Sequence, residues 1–246
     1  MSAALPDLSV VIPVCNEVDN VAPLAREVAA ALRPRLSIEL IFVDDGSSDG
    51  TAEAVRCVRD DVPEIRLLRH SRRYGQSAAL HTGFRAARAD WIATLDGDGQ
   101  NDPADIARLV ALRDERVPRE PGLALITGQR TVRRDTWLRR VSSRIANGVR
   151  SRLLGDGTAD TGCGLKLMRR DVLLALPYFD HMHRFLPSLF RRQGAAVVSV
   201  PVSHRPRQRG ESKYGVHNRL WVGIVDLCGV LWRNARRPVD DGVREE

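Results

Sequence analysis

The sequence predicts an α/β fold, a mostly parallel sheet flanked by helices, followed by amphipathic helices in its C-terminal half. Three observations carry this. Short apolar runs alternate with amphipathic segments from residue 8 to residue 127. Acidic, glycine-containing clusters follow directly on the second and fourth apolar runs, where the strands of such a sheet end and ligands bind. Much of the positive charge lies outside this alternation, between Arg130 and Arg152 and between Arg205 and Arg237.

The first strand is Leu8-Ser9-Val10-Val11-Ile12-Pro13, and the helix after it runs from Asn20 to Leu32 with Val21, Leu24, Val28 and Leu32 on one face. The second strand, Ile38 to Val43, runs into Asp44-Asp45-Gly46-Ser47-Ser48-Asp49-Gly50-Thr51 and then a helix to about Arg59. The third is Ile65 to Leu68, with Gly75-Gln76-Ser77 opening a helix through Arg88. Trp91 to Leu95 forms the fourth, and Pro103 starts the helix that follows it, to about Arg113. The fifth is Leu123 to Thr127.

At 246 residues and 43% hydrophobic, the chain can bury one sizeable core with a small appendage. Cys15, Cys57, Cys163 and Cys228 lie far apart with no C-x-x-C pair, which favours neither a disulfide framework nor a zinc site and fits a reducing compartment. Met1 to Asp7 lacks the basic and apolar regions of an export signal, so a cytoplasmic location is expected. A net charge of +7 admits nucleic acid, an anionic membrane surface or phosphorylated small molecules as partners.

The fourth strand ends in Asp96-Gly97-Asp98-Gly99-Gln100, which offers two carboxylates and an amide oxygen, hard ligands suited to Mg2+ or Mn2+. The same composition also suits a simple turn. A calcium EF-hand loop is excluded, because its sixth and twelfth positions would be Asn101 and Ala107. No G-x-G-x-x-G follows the first strand and no P-loop occurs, so dinucleotide and P-loop chemistry are excluded and the phosphates of a ligand need separate cations. His70, His81, His181, His183, His204 and His217 share no metal-ligand spacing and are expected to be structural or exposed.

Pro13-Val14-Cys15-Asn16-Glu17, Asp44 to Thr51, Asp96 to Gln100 and Gly128-Gln129-Arg130 occur in an order and approximate spacing that resemble the inverting family 2 glycosyltransferases of GT-A fold. Gly210-Glu211-Ser212-Lys213-Tyr214 resembles the polyprenyl-phosphate branch, which includes dolichol-phosphate mannosyltransferase and bacterial undecaprenyl-phosphate glucosyl- and aminoarabinosyl-type transferases. The resemblance covers roughly residues 8–232. It implies a GT-A catalytic domain over residues 1–215, with a donor half to about 130 and an acceptor half to 215, and an interfacial helix with a basic tail over 216–246.

The resemblance also implies roles. Pro13, Cys15, Glu17, Val43 and Asp45 line the nucleoside pocket of a nucleotide-sugar donor, GDP-mannose or a UDP-sugar. Asp96, Gly97 and Asp98 meet the donor diphosphate through Mg2+ or Mn2+, with Gln100 completing the coordination. Arg130, Arg207 and Lys213 form the cationic clamp, against the plain alternative of solvated surface charges. Asp160 and Lys166, in Asp160-Thr161-Gly162-Cys163-Gly164-Leu165-Lys166, orient the phosphate of a polyprenyl-phosphate acceptor. Two departures stand out: Cys15 replaces a common aromatic, which removes a stacking partner, and glycine at 97 and 99 is expected to loosen the metal loop. A phosphate monoester acceptor is largely ionised near neutral pH, its second pKa being about 6, so no strong general base is required and a single inverting displacement is expected.

Between Thr136 and Leu154, Trp137, Val141, Ile145, Val149 and Leu153 recur at helical spacing with Arg139, Arg140, Arg144, Arg150 and Arg152 between them. This is a basic amphipathic helix suited either to core packing or to an anionic membrane surface. Leu220 to Trp232 is apolar apart from Asp226 but, at 13 residues, too short to span a bilayer. Peripheral attachment at the inner face of the membrane is therefore expected, with room for a separate membrane-protein partner. A family 2 transferase acting on a soluble or polysaccharide acceptor remains the alternative. A nucleic-acid-binding module is disfavoured by 5% aromatic residues and the lack of a recognisable binding motif.

Overall fold

The computed structural model describes residues 4–130, 158 and 160–206. Arg207, Lys213, the helix expected over 136–154 and the segment 220–232 lie outside the described residues. The elements are β1 (Leu8–Val14), α1 (Val18–Leu32), β2 (Ile38–Asp44), α2 (Thr51–Val58), β3 (Ile65–Arg69), α3 (Gln76–Ala86), β4 (Trp91–Thr94), α4 (Ala104–Arg116), β5 (Leu123–Arg130), β6 (Lys166–Arg169), α5 (Arg170–Ala175), a 3-10 turn (Met182–Arg184), α6 (Leu186–Arg192) and β7 (Ala196–Val202).

The strands form one seven-stranded sheet in the order β3-β2-β1-β4-β6-β5-β7. β1, β2, β3 and β4 pair in parallel, as do β5 and β7, whereas β6 is antiparallel to both β4 and β5. Side chains alternate across the pleat. Val10 and Ile12 of β1 pack with Leu24 and Val28 of α1, Val55 of α2 and Ile106 and Leu109 of α4. Val11 faces the other way, into the layer built by Leu80 and Phe84 of α3, Leu173 of α5 and Phe190 of α6. Burial on both faces makes β1 and β2 nearly continuous apolar runs.

The five strands expected from the sequence are present. β6 and β7 were not foreseen, and they matter for function. Because β6 runs against its neighbours, its first residue lies where β4 and β5 end: Lys166 pairs with Thr94 on one side and Thr127 on the other. The antiparallel strand thereby delivers the 160–165 loop beside the Asp96 cluster. Thr94 Oγ1 donates to Gly164 O at 2.6 Å and Gly128 N donates to Leu165 O at 2.9 Å, which fixes that loop to both flanking strands.

Candidate active site

A cavity of about 610 Å3 opens beyond the carboxyl ends of β1, β4 and β5. Pro13, Cys15, Glu17 and Asp45 line one part of it, Asp96, Gly97, Asp98 and Gln100 a second, and Arg130 and Lys166 a third. Val43 does not reach it. Its side chain is fully buried under α3, where it packs with Ala79 and Phe84.

The nucleoside-side motifs brace each other. Asn16 N donates to Ser47 Oγ and Ser48 N to Asn16 Oδ1, both at 2.8 Å, and Glu17 N donates to Thr51 Oγ1 at 2.9 Å. Asp45 is buried and already well served: it accepts from Tyr74 N at 2.8 Å and Gly75 N at 2.7 Å, with His70 Nδ1 at 2.8 Å. Its carboxylate therefore shapes the 70–75 loop around the cavity as well as facing it. Glu17 Oε2 accepts from Asn20 Nδ2 at 2.6 Å.

Across the cavity, Asp96 Oδ1 accepts from Gln76 Nε2 at 2.9 Å. Burial and the neighbouring Asp98 push the Asp96 carboxyl up to about 6, while Lys166, Arg130 and the Gln76 hydrogen bond pull it partly back. A desolvated Asp96 carboxylate with Asp98 beside it on the same loop suits a divalent cation. Two backbone positions are cut to fit them: a Cβ on Gly164 would lie 2.1 Å from Asp96 Oδ2, and one on Gly97 2.7 Å from Val14 Cγ1 and 2.8 Å from Pro13 O. Gly97 thus seats the 96–100 loop tightly against β1, and the loosening expected from the sequence does not occur there. The donor set of two carboxylates and the Gln100 amide oxygen fits Mg2+ or Mn2+ with the remaining positions left to phosphate and water. Among the described residues no three His, Cys, Asp or Glu side chains converge as a protein-only cage.

Arg130, at the end of β5, places its fork on Asp160: Nε to Oδ2 at 2.7 Å and Nη2 to Oδ1 at 2.8 Å, with its own backbone N on Oδ2 at 3.2 Å. Asp160 is buried beneath it and is absent from the cavity wall. Lys166 is buried and donates to the carbonyls of Cys163 and, at 3.4 Å, Thr161. Burial pulls its pKa down, and Asp96 and Asp160 oppose that. The acidic and basic walls therefore face one cavity.

The comparisons with known proteins bear on this geometry. The model of glycosyl transferase family 2 matches residues 9–176, from β1 through α5. The chain belongs to glycosyl transferase family 2. Among its relatives, a dodecaprenyl-phosphate galacturonate synthase of Rhizobium johnstonii is 37% identical over 232 residues, covering 92% of this chain and 67% of the relative. An undecaprenyl-phosphate 4-deoxy-4-formamido-L-arabinose transferase of Edwardsiella ictaluri is 36% identical over 211 residues, covering 85% and 63%. The chain thus spans about two thirds of the length of these relatives. Among solved structures, mannosyl-3-phosphoglycerate synthase from Rubrobacter xylanophilus superposes with a TM-score of 0.73 at 15% identity, covering 97% of this chain and 78% of the other. A mannosyltransferase from Pyrobaculum calidifontis in complex with GDP-Man and Mn2+ does so at 0.66 and 21% identity, covering 96% and 67%. These two share the fold.

In this family 2 glycosyltransferase, sequence reasoning missed Gln76 and His183, both on the cavity wall. Gln76 is legible only as the first residue of a helix, and nothing local marks its amide as the partner of Asp96. His183 was expected to be structural or exposed. It is half-buried on the wall, with Nδ1 2.7 Å from Ser77 Oγ. Burial first, then the nearby cations Lys166 and Arg184, drive its pKa down to about 3, so it is a neutral hydrogen-bonding group at physiological pH. His70 is structural, held between Asp45 and Thr82 Oγ1 at 2.9 Å. Among the described residues no helix is long and apolar enough to cross a membrane.

Proposed function

We propose that this family 2 glycosyltransferase transfers a sugar from a nucleotide-sugar donor to a polyprenyl phosphate with inversion, working peripherally at the cytoplasmic face of the membrane. The observation that carries the reading is a cavity with an acidic wall of Asp96 and Asp98 and a basic wall of Arg130 and Lys166. The two bacterial relatives, a dodecaprenyl-phosphate galacturonate synthase and an undecaprenyl-phosphate 4-deoxy-4-formamido-L-arabinose transferase, support a polyprenyl phosphate as the acceptor class.

Asp96, Asp98 and Gln100 would hold Mg2+ or Mn2+, which when bound supplies positive charge to a departing diphosphate. Asp45 and Glu17 fix the loops that surround the nucleoside end. Arg130, kept in place by Asp160, presents its guanidinium to phosphate oxygens. Lys166 has three N–H donors, and the two backbone carbonyls that hold it leave one for a phosphate. An acceptor phosphate oxygen forms its bond to the anomeric carbon as the bond from that carbon to the diphosphate oxygen breaks, and the electron pair leaves with the nucleoside diphosphate. The nucleophile is already ionised, so His183, held by Ser77, need only hydrogen-bond to polar groups of the ligands.

The test is a screen of the purified chain with GDP-mannose, UDP-glucose, UDP-galacturonate and UDP-linked amino sugars against undecaprenyl and dodecaprenyl phosphate. Labelled sugar is expected in the organic-extractable lipid. Label only in a water-soluble or polysaccharide product would overturn the lipid acceptor and support the alternative transferase.

A further inference from the structure

Beyond β7 the chain turns onto the loop that carries Asp98 and Gln100. Asn101 and His204 form an isolated antiparallel bridge, and Arg205 N donates to Gln100 O at 2.8 Å. Ser203 N donates to Asp105 Oδ2 at 2.7 Å, at the start of α4. The Gln100 side chain joins in, its Nε2 donating to Arg205 O at 3.4 Å. The Arg205 guanidinium then reaches both ways: Nη2 lies 2.9 Å from Asp102 Oδ2 in the same loop, and Nη1 2.7 Å from Glu27 Oε2 on α1.

An amide has one acceptor end and one donor end. With the Arg205 carbonyl taking the donor end of Gln100, the oxygen is the end left for a cation. The loop has little stiffness of its own on the far side of Gly97, since Gly99 sits at φ 71° with open space around it. We propose that Arg205 is a positioning residue for the metal loop: by clamping Asp102 and Glu27 it holds its own backbone against Gln100 and so orients the amide oxygen towards the cation. The inference rests on the reading of Asp96, Asp98 and Gln100 as ligands. It assigns a role to a residue that touches neither metal nor substrate, and partners of this kind typically change metal affinity by about 10- to 100-fold.

Its ion pairs are partly exposed, and such pairs contribute little to global stability, so the positioning effect is separable from folding. The experiment is Mn2+ binding, read from loss of the free-ion EPR signal without nucleotide and with UDP or GDP, in wild type, Arg205→Ala and Arg26→Ala. Arg26 lies on α1 and makes an exposed ion pair with Asp61 at 2.7 Å, which makes it the control. Arg205→Ala is expected to weaken Mn2+ binding about tenfold and lower Tm by no more than about 4 °C, while Arg26→Ala leaves Mn2+ binding unchanged. Equal affinity in wild type and Arg205→Ala overturns the inference alone, as does equal weakening in both variants. Wild type that binds no Mn2+ under any of these conditions overturns the metal reading and this inference with it. Should Arg205→Ala not fold, Asp102→Asn provides the same comparison, with severalfold weakening expected and unchanged affinity overturning the role.

Discussion

Gly164 sets how closely the end of β4 approaches the loop before β6. The three heavy atoms nearest to a methyl group there all belong to the Asp96 carboxyl, at 2.1 to 2.6 Å. The carboxylate, being the end of a side chain, would swing away while the main chain stayed. Gly164→Ala is therefore expected to retain a Tm within about 4 °C of wild type yet lose at least about a hundredfold in kcat/KM. A fully active Gly164→Ala would show that Asp96 need not lie where it does. Asp96 itself is a strained charge in the absence of a cation. Replacing it with Asn keeps an acceptor for Gln76 and removes the repulsion from Asp98, so metal-free Asp96→Asn should melt higher than wild type while losing activity. A lower Tm would contradict the electrostatic picture. The sequence made Asp96, Asp98 and Gln100 readable because three oxygen-bearing side chains at alternate positions are a local signal. Gln76, His183 and the Asp160–Arg130 fork have no such signal, since their partners lie 20, 106 and 30 residues away.

At the scale of elements, the strand–helix alternation over β1 to β5 was legible because each strand is an apolar run followed by a helix with one apolar face. β6 was not, for it is four residues long with a cation at either end, Lys166 and Arg169. Its place was decided by register against β4 and β5 and not by its own propensity. At the amino end of the sheet a second buried charge is better compensated. Glu39 of β2 accepts from Ser9 Oγ at 2.6 Å, from Arg88 N at 2.6 Å and from Arg66 Nη1 at 2.5 Å. Burial alone would push its carboxyl up, but these hydrogen bonds outweigh it and hold the pKa below the ordinary 4.5. A carboxyl depressed in the folded state binds fewer protons there than in the unfolded chain. Its contribution is therefore complete above about pH 4.5 and is lost as pH falls towards the folded value. Glu39→Gln should lower stability by about 1–3 kcal/mol at neutral pH and flatten the loss below pH 4.5 in urea melts. An unchanged acid limb would remove Glu39 from the account.

For the molecule as a whole, the GT-A-like sheet places opposite charges on two walls of one cavity, and that arrangement gives the chemistry its direction. The acidic wall belongs to the half that the sequence marks as donor-binding. The basic wall is carried by the ends of β5 and β6, where the chain comes back against the sheet. Family membership was legible from the order of the motifs, whereas the closeness of Lys166 to Asp96 follows from the antiparallel pairing of β6. The most direct test of the central claim is sugar transfer to undecaprenyl phosphate by wild type and Asp98→Asn, each assayed with Mn2+ and with excess EDTA. Wild type should form lipid-linked sugar with Mn2+, lose it in EDTA and regain it when Mn2+ is restored, while Asp98→Asn, folded to the same Tm, should fall by roughly 10²-fold or more. Full transfer in EDTA, or by Asp98→Asn, would contradict the account.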